Sequence, residues 1–139
     1  MERSLPKKLI GVAVITNDRG EILIDRRLKD GEMGGLWEFP GGKVELDETI
    51  EECIKREIKE ELDLDIVVGK HLISVDYTYP KTCVSLIVHH CHHQEGEPRP
   101  LASQEICWVS LEEIDKFKFP EANQQIIQAL HTSAGELVC

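Results

Sequence analysis

Residues 42–61 read GKVELDETIEECIKREIKEE, and this stretch decides the fold. Successive residues of an α-helix lie roughly 100° apart around its axis, and at that spacing the apolar side chains fall on one stripe. The stripe consists of Ile50, Cys53, Ile54 and Ile58, with Leu62 at its edge. The segment is therefore predicted to be an amphipathic helix that packs against a core.

The acidic residues of this predicted helix lie on an unusual face. Glu57 and Glu61 fall inside the apolar stripe, and Glu60 lies on its flank. Like charges four residues apart repel one another and burial adds a desolvation cost, so a cation is expected to compensate them. Carboxylate oxygens suit a hard divalent ion, Mg²⁺ or Mn²⁺ as a substitute. The competing interpretation, a solvated acidic surface helix, is disfavoured because these carboxylates share the face that a helix normally buries.

The other charged and polar side chains of the helix are predicted to point to the opposite, solvated side. These residues are Glu52, Lys55, Arg56 and Lys59.

Extended and helical segments alternate on both sides of this helix. The predicted strands are 9–16, 21–26, 66–79, 82–93 and 106–109. A polar turn at 17–20 makes the first two a hairpin, a capping box at 110–113 begins one short helix, and 121–130 forms another. The fold class is therefore predicted as α/β (α+β), with a mixed sheet between helical layers.

The spacing of polar residues in this stretch, G-x5-E-x7-R-E-I-x-E-E, resembles the Nudix box. The family pattern continues with a glycine and an aliphatic residue; Asp63 departs from it and Leu64 fits. The resemblance implies an α/β/α sandwich with a mixed sheet, over a single domain of residues 1–139. It also implies hydrolysis of a nucleoside diphosphate linked to another group, in which metal ions polarise the phosphates and activate water.

The resemblance also implies a role for individual residues of the box. Glu57, Glu60 and Glu61 would bind the metal, with Gly41 as a carbonyl ligand. Arg56 would orient a neighbouring glutamate through a charge-assisted hydrogen bond. Glu57 or a neighbouring glutamate would help as the base.

Glu48 and the glycines before the helix have structural roles in this interpretation. Glu48 lies close to the helix start, where a carboxylate also favours the helix dipole. Pro40, Gly41 and Gly42 would bring the backbone close to the carboxylates, because glycine leaves room and tolerates positive φ. A plain tight turn is the alternative for these three residues.

Two further segments, LWEFPGGK at 36–43 and FPEAN at 119–123, resemble MutT-type enzymes. Those enzymes hydrolyse oxidised purine nucleoside triphosphates such as 8-oxo-dGTP to the monophosphate and pyrophosphate. The resemblance implies that Asn123 reads the purine edge, that Arg27 approaches the phosphates and that Phe39 packs near the base. The alternatives are a helix N-cap for Asn123, a solvated strand end for Arg27 and a core residue for Phe39.

One position departs from many MutT-type proteins. They carry a further glutamate six residues before the tryptophan that matches Trp108, and Ala102 stands there instead. The nearest substitutes are Glu105 and Gln104. The task of that glutamate would pass to Glu57 or Glu105, or turnover would be slower.

Two rival functions remain open. The first is another Nudix enzyme, a CTP or methyl-dCTP pyrophosphohydrolase, which shares the LWEF and GGK segments. The second is a non-catalytic Nudix-like module, such as the C-terminal domain of adenine DNA glycosylases. This chain resembles that domain in the segments IGVAVI, LIDRRL and LWEFPGGK. Such modules lose the box carboxylates, whereas this chain keeps Glu57, Glu60 and Glu61.

The amino-acid composition limits which binding partners and which cellular compartment are expected. With 139 residues, 41% of them hydrophobic, and a net charge of −10, the chain is expected to be one soluble domain that does not grip long nucleic acid. Its apolar runs are too short to span a bilayer and no signal sequence is recognised, so a cytoplasmic monomer or weak homodimer acting on small nucleotides is expected. The odd number of cysteines, five including Cys139, favours reduced thiols.

Histidine and cysteine cluster at 89–93, which reads HHCHH. Both residue types bind zinc. In a strand, however, His89, Cys91 and His93 face one way while His90 and His92 face the other. Ordinary strand residues are the favoured interpretation.

Overall fold

The computed structural model describes residues 7–31 and 33–138, with side chains through residue 133. The start of the chain and Cys139, on which expectations were placed above, lie outside the described residues. The described residues form seven strands, two α-helices and one 3₁₀ turn. The strands are β1 (Lys7–Thr16), β2 (Ile22–Arg26), β3 (Trp37–Glu38), β4 (Gly41–Lys43), β5 (Asp65–Thr78), β6 (Cys83–Glu95) and β7 (Glu105–Val109). The helices are α1 (Ile50–Leu62) and α2 (Glu121–Val138), and the 3₁₀ turn is Ile114–Lys116.

The strands form one mixed sheet, as predicted. Its order is β3-β2-β1-β6-β5, with β4 also pairing β1 and β7 also pairing β2. β1 and β6 run parallel, and the other pairs are antiparallel. Parallel pairing requires a long crossover, and the chain between β1 and β6 contains the whole of α1.

Each face of the sheet is covered by one helix, which confirms the predicted sandwich. Because side chains alternate along a strand, Ala13 and Ile15 of β1 face α1, whereas Val12 and Val14 face α2. The predicted apolar stripe of α1 is buried. Its buried residues are Cys53, Ile54, Ile58 and Leu62.

The ends of α1 have well-defined caps. Thr49 and Glu52 form a capping box, in which the Thr49 hydroxyl accepts from the Glu52 amide at 3.1 Å. Its T-x-x-E pattern is visible in the sequence, although only the box at 110–113 was predicted. At the other end Asp63, the position where the family has glycine, adopts the left-handed conformation with φ 54° and ψ 45°.

Other elements differ from the prediction in extent. The helix predicted at 121–130 continues to Val138, and the short helix after Ser110 is a single 3₁₀ turn. The strands β3 and β4 were not predicted, because each spans only two or three residues and Pro40 lies between them. Within the described chain, no helix is long and apolar enough to cross a membrane.

The HHCHH run lies inside β6, as predicted. Cys91 is buried in the cluster under α1, where burial raises the pKa of its thiol to about 12. The histidines have separate partners: His89 Nδ1 lies 2.9 Å from the Gly69 carbonyl, and His92 Nε2 lies 3.2 Å from Asp18.

Candidate active site

Arg56 of α1 forms ion pairs with four glutamates, Glu45, Glu48, Glu57 and Glu60. Its Nε and Nη2 donate to the two oxygens of Glu48 at 2.6 and 2.9 Å, and its Nη1 lies 2.8 Å from Glu57 and 3.3 Å from Glu60. Its Nη2 also donates to the Lys43 carbonyl at 3.1 Å. The prediction that Arg56 points to the solvated side was wrong, because its side chain is 24% exposed and folds over these carboxylates.

These hydrogen bonds fix the charge of Glu48. Donation from Arg56 and from the Glu45 amide lowers the pKa of Glu48 to about 2. A carboxylate that stays ionised in this way holds the guanidinium in place, and the guanidinium in turn holds Glu57. Arg56 therefore links Glu48 to Glu57 on the acidic face of α1.

The two glycines of β4 run directly beside α1. The Gly41 amide donates to Glu61 at 3.2 Å, and a Cβ added at Gly42 would overlap the carboxylate of Glu57. A Cβ added at Gly41 would overlap the Gly11 carbonyl across the β1–β4 pair. Neither glycine has positive φ, and the segment is a paired strand rather than the tight turn considered above. Glycine is needed here for close approach alone.

Carboxylates from three elements gather beyond these glycines. Asp25 of β2 pairs in register with Glu38 of β3, and the charges of both act on Glu61 of α1. Burial raises the pKa of Glu61 to about 8, and the nearby charges of Asp25, Glu57 and Glu38 add to the effect. Burial also raises the pKa of Asp25 to about 8, reinforced by Glu38 and opposed by Arg27.

This donor set fits a hard divalent cation. In the described part of the chain no three acidic, histidine or cysteine side chains form a preformed ligand set, and Glu57 and Glu60 are paired with Arg56. The fit comes from charge: several carboxylates share a partly buried site, and one oxygen of Asp25 is buried without a hydrogen-bond partner. Oxygen donors with excess negative charge are what Mg²⁺ and Mn²⁺ require.

A cavity of about 420 Å³ opens beside the acidic residues. The three predicted substrate-binding residues Arg27, Phe39 and Asn123 line it, together with Glu38 and Glu61. Glu38 and Glu61 therefore bring two carboxylates to the wall of a space large enough for a small ligand.

Each of these three residues has a defined environment. Arg27 Nη1 lies 2.8 Å from Glu38, and Phe39 is buried and stacked on Phe119 with ring centroids 5.3 Å apart. The N-cap interpretation of Asn123 was wrong, because α2 begins at Glu121 and places Asn123 inside its first turn. Its half-buried side chain reaches the cavity instead.

The loop before β7 crosses the end of α1. The Leu101 amide donates to the Glu61 carbonyl at 3.0 Å, so the exposed Ala102 follows directly after a contact with the acidic helix. Glu105 does not line the cavity; it pairs with Arg26 at 3.1 Å, and its side chain is 51% exposed. Gln104 supports the backbone of Arg27, whose carbonyl accepts from its side-chain amide at 3.2 Å.

Sequence reasoning did not select two of the clustered carboxylates, Asp25 and Glu38. Asp25 interrupts the apolar run ILI at a position that shares the inward face of Leu23. An acidic residue at an inward position of a strand was the available signal. Glu38 gave no comparable signal, because its place depends on the short β2–β3 pair.

Comparison with known proteins agrees with this arrangement. The family model described as NUDIX domain matches residues 11–129. The chain is 36% identical over 125 residues to an 8-oxo-dGTP diphosphatase of Escherichia coli (strain K12), covering 89% of this chain and 97% of that protein. It is 31% identical over 118 residues to a CTP pyrophosphohydrolase of the same strain, covering 85% and 87%. A crystal structure of a MutT protein from Methanosarcina mazei Go1 superposes with a TM-score of 0.86 at 27% identity, covering 96% and 99%. The chain belongs to the Nudix hydrolase family.

Proposed function

We propose that this protein is a Mg²⁺-dependent nucleoside triphosphate pyrophosphohydrolase that acts on oxidised purine nucleotides such as 8-oxo-dGTP. One observation carries the proposal: Glu61, on the acidic face of α1, lines the same cavity as Arg27, Phe39 and Asn123. The products would be the nucleoside monophosphate and pyrophosphate. Removal of oxidised nucleotides before their incorporation would place the enzyme in DNA repair.

Different side chains have different roles in the reaction. Glu57, Glu60 and Glu61, with the Gly41 carbonyl, would hold the divalent cation. When bound, this cation supplies charge neutralisation of the phosphates and a more acidic water. Glu57 would take a proton from the attacking water as the water oxygen bonds to phosphorus and the bridging phosphorus–oxygen bond breaks, which releases the nucleoside monophosphate and pyrophosphate.

Residues around the cation site position these groups. Arg56 fixes Glu57, and its bond to Glu48 keeps the guanidinium in place. Arg27 binds phosphate oxygens in exchange for its present contact with Glu38. The Glu57 carboxylate lies against Gly42, which lines the cavity, whereas Glu105 is paired with Arg26 on the other side of β2, so the proton acceptor is assigned to Glu57.

The cavity supports a purine as the base. An asparagine amide donates and accepts in one plane, which suits a base edge with adjacent polar atoms, and Asn123 is half-buried at the cavity wall. Phe39 supplies an apolar surface against which the base packs. The 36% identity to a named 8-oxo-dGTP diphosphatase supports the same choice.

The second candidate is a CTP or methyl-dCTP pyrophosphohydrolase. The relative named CTP pyrophosphohydrolase, at 31% identity, favours it. The chemistry would be unchanged, because the carboxylates act on the phosphates and the base is chosen by other residues. A non-catalytic module is disfavoured because the box carboxylates are all retained.

We further propose a cytoplasmic monomer or weak homodimer that acts on free nucleotides rather than on nucleic acid. The net charge of −10 supports this, because binding to long nucleic acid relies on basic side chains. Light scattering during size-exclusion chromatography would test the oligomeric state, and a tight higher oligomer would contradict it.

A panel of nucleoside triphosphates tests the proposed function. With Mg²⁺, kcat/KM for 8-oxo-dGTP is expected to exceed that for dGTP, CTP and 5-methyl-dCTP by about tenfold or more, since polar contacts to the base discriminate at this level. A comparable preference for a pyrimidine would contradict the purine assignment. No turnover of any substrate with Mg²⁺ or Mn²⁺ would contradict the hydrolase itself.

A further inference from the structure

Asp25 lies on the inner face of β2, towards α1. Leu23, two residues earlier, packs in the cluster under α1, and alternation along the strand places Asp25 on the same face. Its partner across the β2–β3 pair is Glu38. Only 6% of Asp25 is exposed, which is rare for a carboxylate in an otherwise apolar strand.

The Asp25 carboxylate is less well compensated than its acidic neighbours: the charge of Arg27 and the Asp25 backbone amide act on it, but no ion pair with it is found among the described residues. Glu38 is paired with Arg27 at 2.8 Å, Glu57 is paired with Arg56 at 2.8 Å, and Glu61 accepts from the Gly41 amide. Asp25 Oδ1 is buried and has no hydrogen-bond partner. A buried oxygen in this state requires an explanation, and an ion or water is the usual one.

The groups that face Asp25 identify what would compensate it. The charges that act on it are those of Glu38, Glu61 and Arg27, and Arg27 is already engaged by Glu38. A cation bound beside Glu61 would compensate the charges of both buried carboxylates, Asp25 and Glu61. A hard divalent ion fits, because the available donors are oxygens.

In the described chain, neither the loop at Ala102 nor Glu105 brings a carboxylate to the acidic face of α1. Ala102 follows Leu101, whose amide contacts the Glu61 carbonyl at 3.0 Å, so this loop reaches α1 without bringing a carboxylate. Glu105 pairs in register with Arg26, and therefore faces the side of β2 opposite to Asp25.

We propose that the Asp25 carboxylate helps to hold the divalent cation beside Glu61, and so supplies the acidic group that the loop lacks at Ala102. This inference rests on the proposed function, because it concerns the same cation. It assigns to β2 a contribution to the site in addition to those of α1 and β4.

Direct measurement of Mn²⁺ binding without nucleotide tests the inference. The full chain is titrated with Mn²⁺ and binding is followed by calorimetry and by the paramagnetic resonance signal of the ion. Asp25→Asn should bind Mn²⁺ about tenfold more weakly than the natural protein, which is the lower end of the range for loss of a group that supports a metal site. Glu105→Gln is the matched control and should bind as tightly as the natural protein. Circular dichroism and thermal unfolding in EDTA establish that each variant is folded, and Asp25→Thr replaces Asp25→Asn if the latter is not.

The outcomes separate the two proposals. Equal Mn²⁺ affinity of the natural protein and the folded Asp25 variant would overturn the role of Asp25 and leave the hydrolase intact. Weaker binding by Glu105→Gln, with Asp25→Asn unaffected, would assign the role to Glu105. If the natural protein bound no Mn²⁺ without nucleotide, this inference would be overturned, whereas the proposed function is overturned only if no substrate is turned over with Mg²⁺ or Mn²⁺.

Discussion

At the scale of single residues, the site depends on how closely the backbone approaches the carboxylates. A Cβ at Gly42 would overlap the carboxylate of Glu57, so Gly42→Ala must displace that side chain or the strand. Turnover with Mg²⁺ should fall by about tenfold or more, because the Glu57 carboxylate is misplaced. The free energy of unfolding should fall by about 1–3 kcal/mol, because the added methyl group overpacks the site.

Steady-state kinetics and urea unfolding measure these two effects of Gly42→Ala. Gly31→Ala is a control, because a Cβ there would meet the Leu28 carbonyl at an ordinary 3.5 Å. Full activity of Gly42→Ala would show that close approach at this position is unimportant.

Asn123 carries the proposed choice of base. Replacement by alanine should reduce kcat/KM for 8-oxo-dGTP by about tenfold while changing that for poorer substrates less, since a polar contact made only with the preferred base is lost. Gln124→Ala, one residue further along α2 and exposed, should leave both values unchanged. An equal loss for all substrates would assign Asn123 a structural role instead.

At the scale of elements, the end of α1 explains the departure from the family pattern. Asp63 adopts the left-handed conformation at the C-terminal cap, which glycine adopts without steric cost. Asp63→Gly should therefore stabilise the protein by about 0.5–1 kcal/mol, even though ion pairs at 3.6 Å with Lys59 and 3.7 Å with Arg99 are lost.

Chemical denaturation followed by circular dichroism measures the effect of Asp63→Gly. Asp65→Gly is the control: Asp65 also contacts Lys59 but lies in β5, where glycine weakens a strand. A destabilised Asp63→Gly would show that its ion pairs outweigh its backbone strain.

The longer elements were predictable and the short ones were not. α1 could be predicted because four buried positions repeat at helical spacing, and β6 because it contains the apolar run VSLIV. β3 and β4 are held by pairing with β2 and β1 rather than by their own sequence. The position of Arg56 was missed because helical geometry gives the direction of Cβ, whereas the long side chain follows its carboxylate partners.

At the scale of the whole molecule, the buried carboxylates link stability to pH. The pKa values of Asp25 and Glu61 are raised to about 8, so the folded protein binds more protons than the unfolded chain between about pH 5 and 8. Stability of the metal-free protein should therefore fall as pH rises through this window, by a few kcal/mol at most, because the two groups are close together.

Urea unfolding in EDTA at a series of pH values measures this dependence. Mg²⁺ should reduce the fall at high pH, since a bound cation favours the ionised carboxylates. Asp25→Asn should flatten the slope because one of the two titrating groups is removed. Metal-free stability that rises steadily from pH 5 to 8 would contradict the clustering of these carboxylates.

Some residues of the site could be predicted from the sequence and others could not, because only some of them belong to a local sequence pattern. Glu57, Glu60 and Glu61 break the apolar stripe of one helix, so a short local pattern reveals them. Asp25 and Glu38 join them only through the sheet, and their significance depends on register between strands. The cavity position of Asn123 depends on where α2 begins, which was predicted correctly at residue 121, and its substrate-binding role was suggested by the MutT-like segment rather than by helix geometry.

The central claim is that the acidic face of α1 carries out divalent-cation-dependent release of pyrophosphate. The most direct test is pyrophosphate release from 8-oxo-dGTP by the natural protein and by Glu57→Gln, with Mg²⁺ and with EDTA. The natural protein should turn over only with the cation, and Glu57→Gln should be about a hundredfold slower or more with an unchanged circular dichroism spectrum. Turnover in EDTA, or a folded Glu57→Gln as active as the natural protein, would contradict the claim.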